Sequence, residues 1–194
     1  MDKKKQRISS ANPLATTRRV IWYALRTVLV ISVILALCYA VFTEAMYVSN
    51  MYIVTTEGMA LRADAILTAG SVSELEQYFT EEQLLSDPML YSDEYSGYSI
   101  ESYDYRFSIE RIRVLPWGKT GSITYVERIP TIVATADSEM AEEGGSGAPE
   151  WTSVRYSVVL SKTEGRWLIS GLTVLEQDLQ EEALPTPDYS QLQG

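Results

Sequence analysis

Val20 to Phe42 reads VIWYALRTVLVISVILALCYAVF, twenty-three residues in which Arg26 is the only charge. In a helix they extend about 34 Å, enough for a bilayer core of roughly 30 Å with some tilt. Arg26 lies less than two turns from the basic end, where its stem can snorkel toward headgroups. Trp22 and Tyr23 at one end, and Tyr39 and Phe42 near the other, match interfacial aromatic belts. A cleaved signal peptide would carry a shorter apolar stretch and a small-x-small exit, whereas Cys38-Tyr39-Ala40 is a poor cleavage site. A lipoprotein would want a small residue before its cysteine, and Leu37 stands there. The span reads as an uncleaved signal-anchor.

The flanks orient it. Residues 1–19 carry six basic side chains against Asp2, and residues 44–194 hold nine basic and 25 acidic ones. The positive-inside rule puts the N-terminus in the cytoplasm and the rest outside the plasma (inner) membrane of a single-pass protein. Four segments follow: a basic cytoplasmic stub at 1–19, the transmembrane helix at 20–42, an exported domain at 43–180 and a disordered tail at 181–194. The acidic exported part lacks the basic footprint that nucleic acid needs. Partners are therefore the lipid bilayer through 20–42 and other envelope proteins, not nucleic acid.

Within the span, Ser32, Ala36 and Ala40 recur at four-residue steps. Such a small-residue face allows close approach of a second helix, hence self-association as a homo-oligomer. Small residues are also common in membrane spans for no such reason.

From Thr43 to Gly70 the spacing predicts a helix whose apolar stripe is Val48, Met51, Val54, Gly58, Leu61 and Ala65. The β-branched run Ile53 to Thr56 followed by Gly58 predicts a hinge, and Gly70 a C-terminal stop. Ser71-Val72-Ser73-Glu74 and Thr80-Glu81-Glu82-Gln83 fit capping boxes opening two short helices, the second stopped by Asp87-Pro88. After residue 98 the period becomes 2. Tyr103, Tyr105, Phe107 and Ile109 alternate with polar residues, and Ile112 and Val114 continue on the other parity. A β-bulge near Glu110-Arg111 accounts for the change. Trp117 to Gly121 is a turn, and Ile123 to Ala136 returns, interrupted by Pro130. Residues 137–150 read as a mobile acidic loop, after which two more strands run from Val154 to about Leu175. The fold class is α+β: one transmembrane helix, then three helices packed on a curved four-stranded antiparallel sheet in a cone-like domain.

This order, with the phrase Glu164-Gly165-Arg166-Trp167-Leu168-Ile169, resembles the cystatin-like α+β superfamily of nuclear transport factor 2, SnoaL-like cyclases and ketosteroid isomerase. With a basic stub and a single anchor, it is similar to the exported domains of type IV secretion and conjugation inner-membrane scaffold proteins. The resemblance covers residues 20 to about 178. It implies an envelope scaffold that docks partners, or alternatively a tethered receptor or SnoaL-like enzyme holding a ligand inside the cone.

The residues themselves weigh against enzyme chemistry. Histidine is absent and Cys38 is the single cysteine, which removes Ser-His, Cys-His and His-metal arrangements. Catalysis inside a cone would use a carboxylate base beside a phenol, and Asp104, Glu110 and Glu127, opposite Tyr156, are the candidates. Each is read as lying on the polar parity of its strand, so solvent is its expected neighbour. No catalytic residue, metal ligand or cofactor is therefore expected, and the acid-rich loop 137–150 matches no calcium-loop spacing. Tyr91 to Tyr105 holds five tyrosines among four acids. Tyr91, Tyr95, Tyr98 and Tyr103 are candidate partner-binding residues, since exposed rings bind at little entropic cost; alternatively they cover the open end of the cone.

Overall fold

The computed structural model describes residues 13–136 and 147–179. The stub residues 1–12, most of the acidic loop (137–146) and the tail from 180 lie outside the described residues. The chain forms two compact units, Met1–Glu44 and Ala45–Gly194.

Helix α1 covers Pro13–Thr68, with proline at the first helical position, where its missing N–H costs nothing. It is long and apolar enough to cross a membrane. The hinge expected at 53–58 does not form. The Thr56 hydroxyl donates back to the Tyr52 carbonyl at 2.9 Å, and Gly58 is matched to a close neighbour. A Cβ on Gly58 would stand 2.9 Å from the Tyr78 Cβ. Packing there overrides weak helix propensity. At the other end the left-handed residue is Ala69 (φ 51) rather than Gly70. The Gly70 N–H donates to the Ala65 carbonyl at 3.1 Å, the six-to-one bond of a Schellman ending.

The two short helices are partly corrected. Val72–Gln77 is a 3-10 segment without a side-chain cap, because the Ser71 hydroxyl bonds the Ser73 hydroxyl at 2.6 Å instead. Helix α2, Glu81–Ser86, does have its cap: the Gln83 N–H donates to the Thr80 hydroxyl. A second 3-10 turn, Pro88–Tyr91, is capped by Asp87.

Six strands follow rather than four: β1 Tyr98–Tyr103, β2 Arg106–Val114, β3 Thr120–Arg128, β4 Ile132–Ala136, β5 Val154–Thr163 and β6 Arg166–Gln177. They form an antiparallel sheet of order β2-β3-β5-β6 and a separate β1-β4 pair. The expected first hairpin is thus broken at matching points on both arms. Pro130 has no N–H for a ladder, and at this corner the Asp104 N–H bonds the Thr131 carbonyl at 3.0 Å. The bulge expected near Glu110 is present: register shifts between Ile109 and Arg111.

One face of the sheet carries the main core. Ile123 pairs with Val158 and Tyr125 with Tyr156 across β3 and β5. Met51 and Met59 of α1, Leu75, Phe79, Trp167 and Ile169 close over them. Main-chain bonds tie Tyr78 and Thr80 to Ile169 at 2.7 and 2.9 Å. A smaller cluster gathers Ala63, Ile66 and Leu67 with Tyr95, Ile129 and Trp151.

Candidate functional site

Glu127 shares its parity with Ile123 and Tyr125, four and two residues earlier on β3, and so turns inward with them. The expectation that solvent surrounds Glu127 is therefore corrected: it is 0% exposed. Its Oε1 accepts from the Trp151 indole N–H at 3.1 Å. Its Oε2 accepts from the Tyr105 hydroxyl at 3.3 Å, and that hydroxyl is 2.5 Å from the Tyr125 hydroxyl. Asp104 and Glu110 behave as expected, exposed or half-exposed and paired with Arg106 and Arg155.

Two further buried charges belong to this interior. Arg62 projects from α1 and Asp87 caps the Pro88–Tyr91 turn, and they meet in a two-pronged ion pair at 2.5 and 3.0 Å. Asp87 also accepts from the Met89 N–H at 3.1 Å. The guanidinium carbon sits 5.9 Å from the centre of the buried Tyr156 ring. Burial pulls the Arg62 pKa down, but the bond and charge of Asp87 more than restore it, so Arg62 stays a cation. Burial pushes Glu127 up to about 7, against the attraction of Arg62 and the bonds from Tyr105 and Trp151. One cation faces two carboxylates in a medium that tolerates little net charge, and Asp87 holds the direct contact. Burial also raises the Tyr105, Tyr125 and Tyr156 hydroxyls.

Chemically this is an acid–phenol chain of the kind that can move a proton, but it is closed. Both carboxylate oxygens have partners and Glu127 has no exposed surface, so a substrate has no approach to it. A groove of about 380 Å³ runs along Ile129, Pro130, Ala148 and Pro149 and touches Trp151, but Glu127 is not in its wall. Among the described residues no group of three or more His, Cys, Asp or Glu is placed to hold a metal ion.

The tyrosines divide. Tyr91 is 58% exposed and Tyr98 is half-buried. Tyr95 is 4% exposed and packs on Trp151, ring centres 6.0 Å apart. Its ring is core, which corrects the expectation of an exposed docking side chain. Tyr103 is half-buried and its hydroxyl donates to Asp64 of α1 at 2.8 Å. Tyr91, Tyr95 and Tyr98 nonetheless border one groove of about 420 Å³ along Ile66 to Gly70. A neighbouring groove of about 620 Å³ runs past Leu84, Leu85, Tyr91 and Leu168, with Leu85 70% exposed. Ser32 and Ala36 are exposed on α1 and Ala40 is half-buried, in line at four-residue steps.

The inward carboxylate, with Arg62 and Asp87, is what the sequence reading missed. Compared with protein-family models, curated proteins and solved structures, the chain matches none.

Proposed function

We propose that this chain is a single-pass membrane protein whose exported domain docks other envelope proteins, as a scaffold in a secretion- or conjugation-like assembly. Residues 20–42 cross the plasma membrane with the basic stub in the cytoplasm. The carrying observation is a contrast between inside and outside. The interior is filled and its carboxylate fully partnered, while Leu85 and Tyr91 stand exposed beside one shallow groove. Exposed apolar and aromatic side chains with a polar rim are the surface that partners use. The domain is read as a cystatin-like cone, with helices over the concave face of the sheet. The span's small-residue face, Ser32, Ala36 and Ala40, serves self-association.

A photoreactive residue placed at Tyr91 in living cells tests this. Adducts to other envelope proteins are expected there, with none from the same probe at the buried Tyr95. Absence of adducts at Tyr91 and Leu85 alike overturns the docking reading. One observation favours a ligand-binding alternative: an inward carboxylate bonded to an indole and to a phenol that is itself bonded to a second phenol. That alternative needs the interior to open, and native mass spectrometry of the detergent-released chain would then find a bound small molecule.

A further inference from the structure

The β2–β3 hairpin ends in Leu115-Pro116-Trp117-Gly118-Lys119, closed by the Gly118 N–H donating to the Leu115 carbonyl at 2.8 Å. Hairpin tips are normally polar. Here Leu115 is 60% exposed and Trp117 77%. An indole so placed has no role in the core.

The tip has a defined place. The Lys119 carbonyl accepts from the Lys162 N–H at 2.7 Å, and the Lys162 ammonium reaches the Tyr47 hydroxyl at 3.1 Å. Beside the turn, Gly121, the partner of Val114, lies so close to Met51 that an added Cβ would stand 2.5 Å from the Met51 Cε. The hairpin is therefore fixed to residues 47–51. Tyr47 follows Phe42, the end of the apolar span, by five residues, and five residues reach no further than about 18 Å.

Charge agrees. The exported part is strongly acidic, yet residues 111–121 carry Arg111, Arg113 and Lys119 and no acid. Arg113, Lys119 and Arg166, the last opening β6 after the Glu164-Gly165 turn, are exposed. Among the described residues they make no ion pair, whereas Arg62 and Arg155 do.

We propose that this hairpin tip is a second membrane contact: Leu115 and Trp117 enter the interfacial layer of the bilayer that holds residues 20–42, and Arg113, Lys119 and Arg166 face anionic headgroups. Tryptophan prefers that layer, and basic side chains are drawn to it within a Debye length. The tether keeps the local lipid concentration high, so a small contact suffices. The inference rests on the span lying in a bilayer.

The test uses the full chain in nanodiscs containing anionic lipid brominated near the headgroup, with plain lipid as reference. Trp22→Phe and Trp117→Phe each remove one emitter, so the difference from the parent reports that tryptophan alone. The expected result is that Trp22 and Trp117 both lose emission in brominated lipid. Trp117 should regain it when Arg113→Glu and Lys119→Glu are combined. Loss from Trp22 with none from Trp117 overturns the contact and leaves the span intact. Loss from neither overturns both.

Discussion

Glu127→Gln should free the domain from a pH-dependent loss of stability. In the unfolded chain this carboxyl ionises near 4.5, and in the fold near 7. Between those values the folded state holds a proton that the unfolded state has released. The stabilising contribution is thus complete below pH 4.5 and is lost as pH rises to about 7. At 1.36 kcal/mol per pH unit the loss is about 3 kcal/mol. Glutamine keeps the shape and cannot ionise. Its carbonyl can accept from the Trp151 indole, its amide can donate to the Tyr105 oxygen, and Tyr105 then donates to Tyr125. Asp87 still neutralises Arg62 through two bonds. Urea unfolding of the full chain in detergent, followed by the emission of buried Trp151 and Trp167, measures this at pH 4.5 and pH 8. The variant should match the parent at the lower pH and exceed it at the higher by about 3 kcal/mol, a midpoint shift of roughly 1–3 M. A variant equal to the parent at both pH values would mean that burial does not hold a proton on Glu127. Glu127 would then be ionised in the fold, with Arg62 shared between two carboxylates.

Trp167 is 4% exposed and stacks edge-on against Tyr47 at 5.4 Å, so Trp167→Ala should cost about 3–5 kcal/mol in the same unfolding assay. Tyr95→Ala should destabilise by a similar amount, because it opens the contact with Trp151, while Tyr91→Ala stays within about 0.5 kcal/mol of the parent. Equal effects of the two tyrosine variants would contradict the division between core and surface rings. Ala69→Gly should stabilise the domain by about 1 kcal/mol, since alanine at φ 51 strains a backbone that glycine adopts freely. No gain in unfolding midpoint would mean that the Ala69 methyl makes compensating contacts.

Much of this architecture is legible in local pattern. The apolar run with its charged flanks marks α1, alternation marks the strands, and the change of parity at Ile112 locates the bulge at Glu110. Half of the Thr80 box also forms: its hydroxyl accepts from the Gln83 N–H, while the Thr80 N–H donates to the Ile169 carbonyl instead of the Gln83 side chain. The failures share a cause: polar residues placed inside. The buried line of α1 is Met51, Thr55, Gly58, Met59, Arg62, Ala63, Ile66 and Leu67. Two of these are polar, so apolar periodicity points instead to Val54, Leu61 and Ala65 on its flank. Glu127 is expected on the polar parity of its strand, although counting by twos from Ile123 and Tyr125 turns it inward. Nothing local identifies Asp87 as the partner of Arg62, because their pairing spans 25 residues and depends on the packed fold. Likewise, only tertiary contact separates Tyr95, covered by Trp151, from Tyr91.

Thiol accessibility tests whether residues 20–42 hold the domain Ala45–Gly194 on the extracytoplasmic side of the membrane, as proposed. In a Cys38→Ala background, Ser99→Cys in the exposed part of β1 or Ser9→Cys in the stub would be the single cysteine. A membrane-impermeant maleimide is applied to intact cells and then to permeabilised ones. Ser99→Cys should label in intact cells, and Ser9→Cys only after permeabilisation. Labelling of Ser9→Cys in intact cells, with Ser99→Cys protected until they are opened, would reverse the proposed topology.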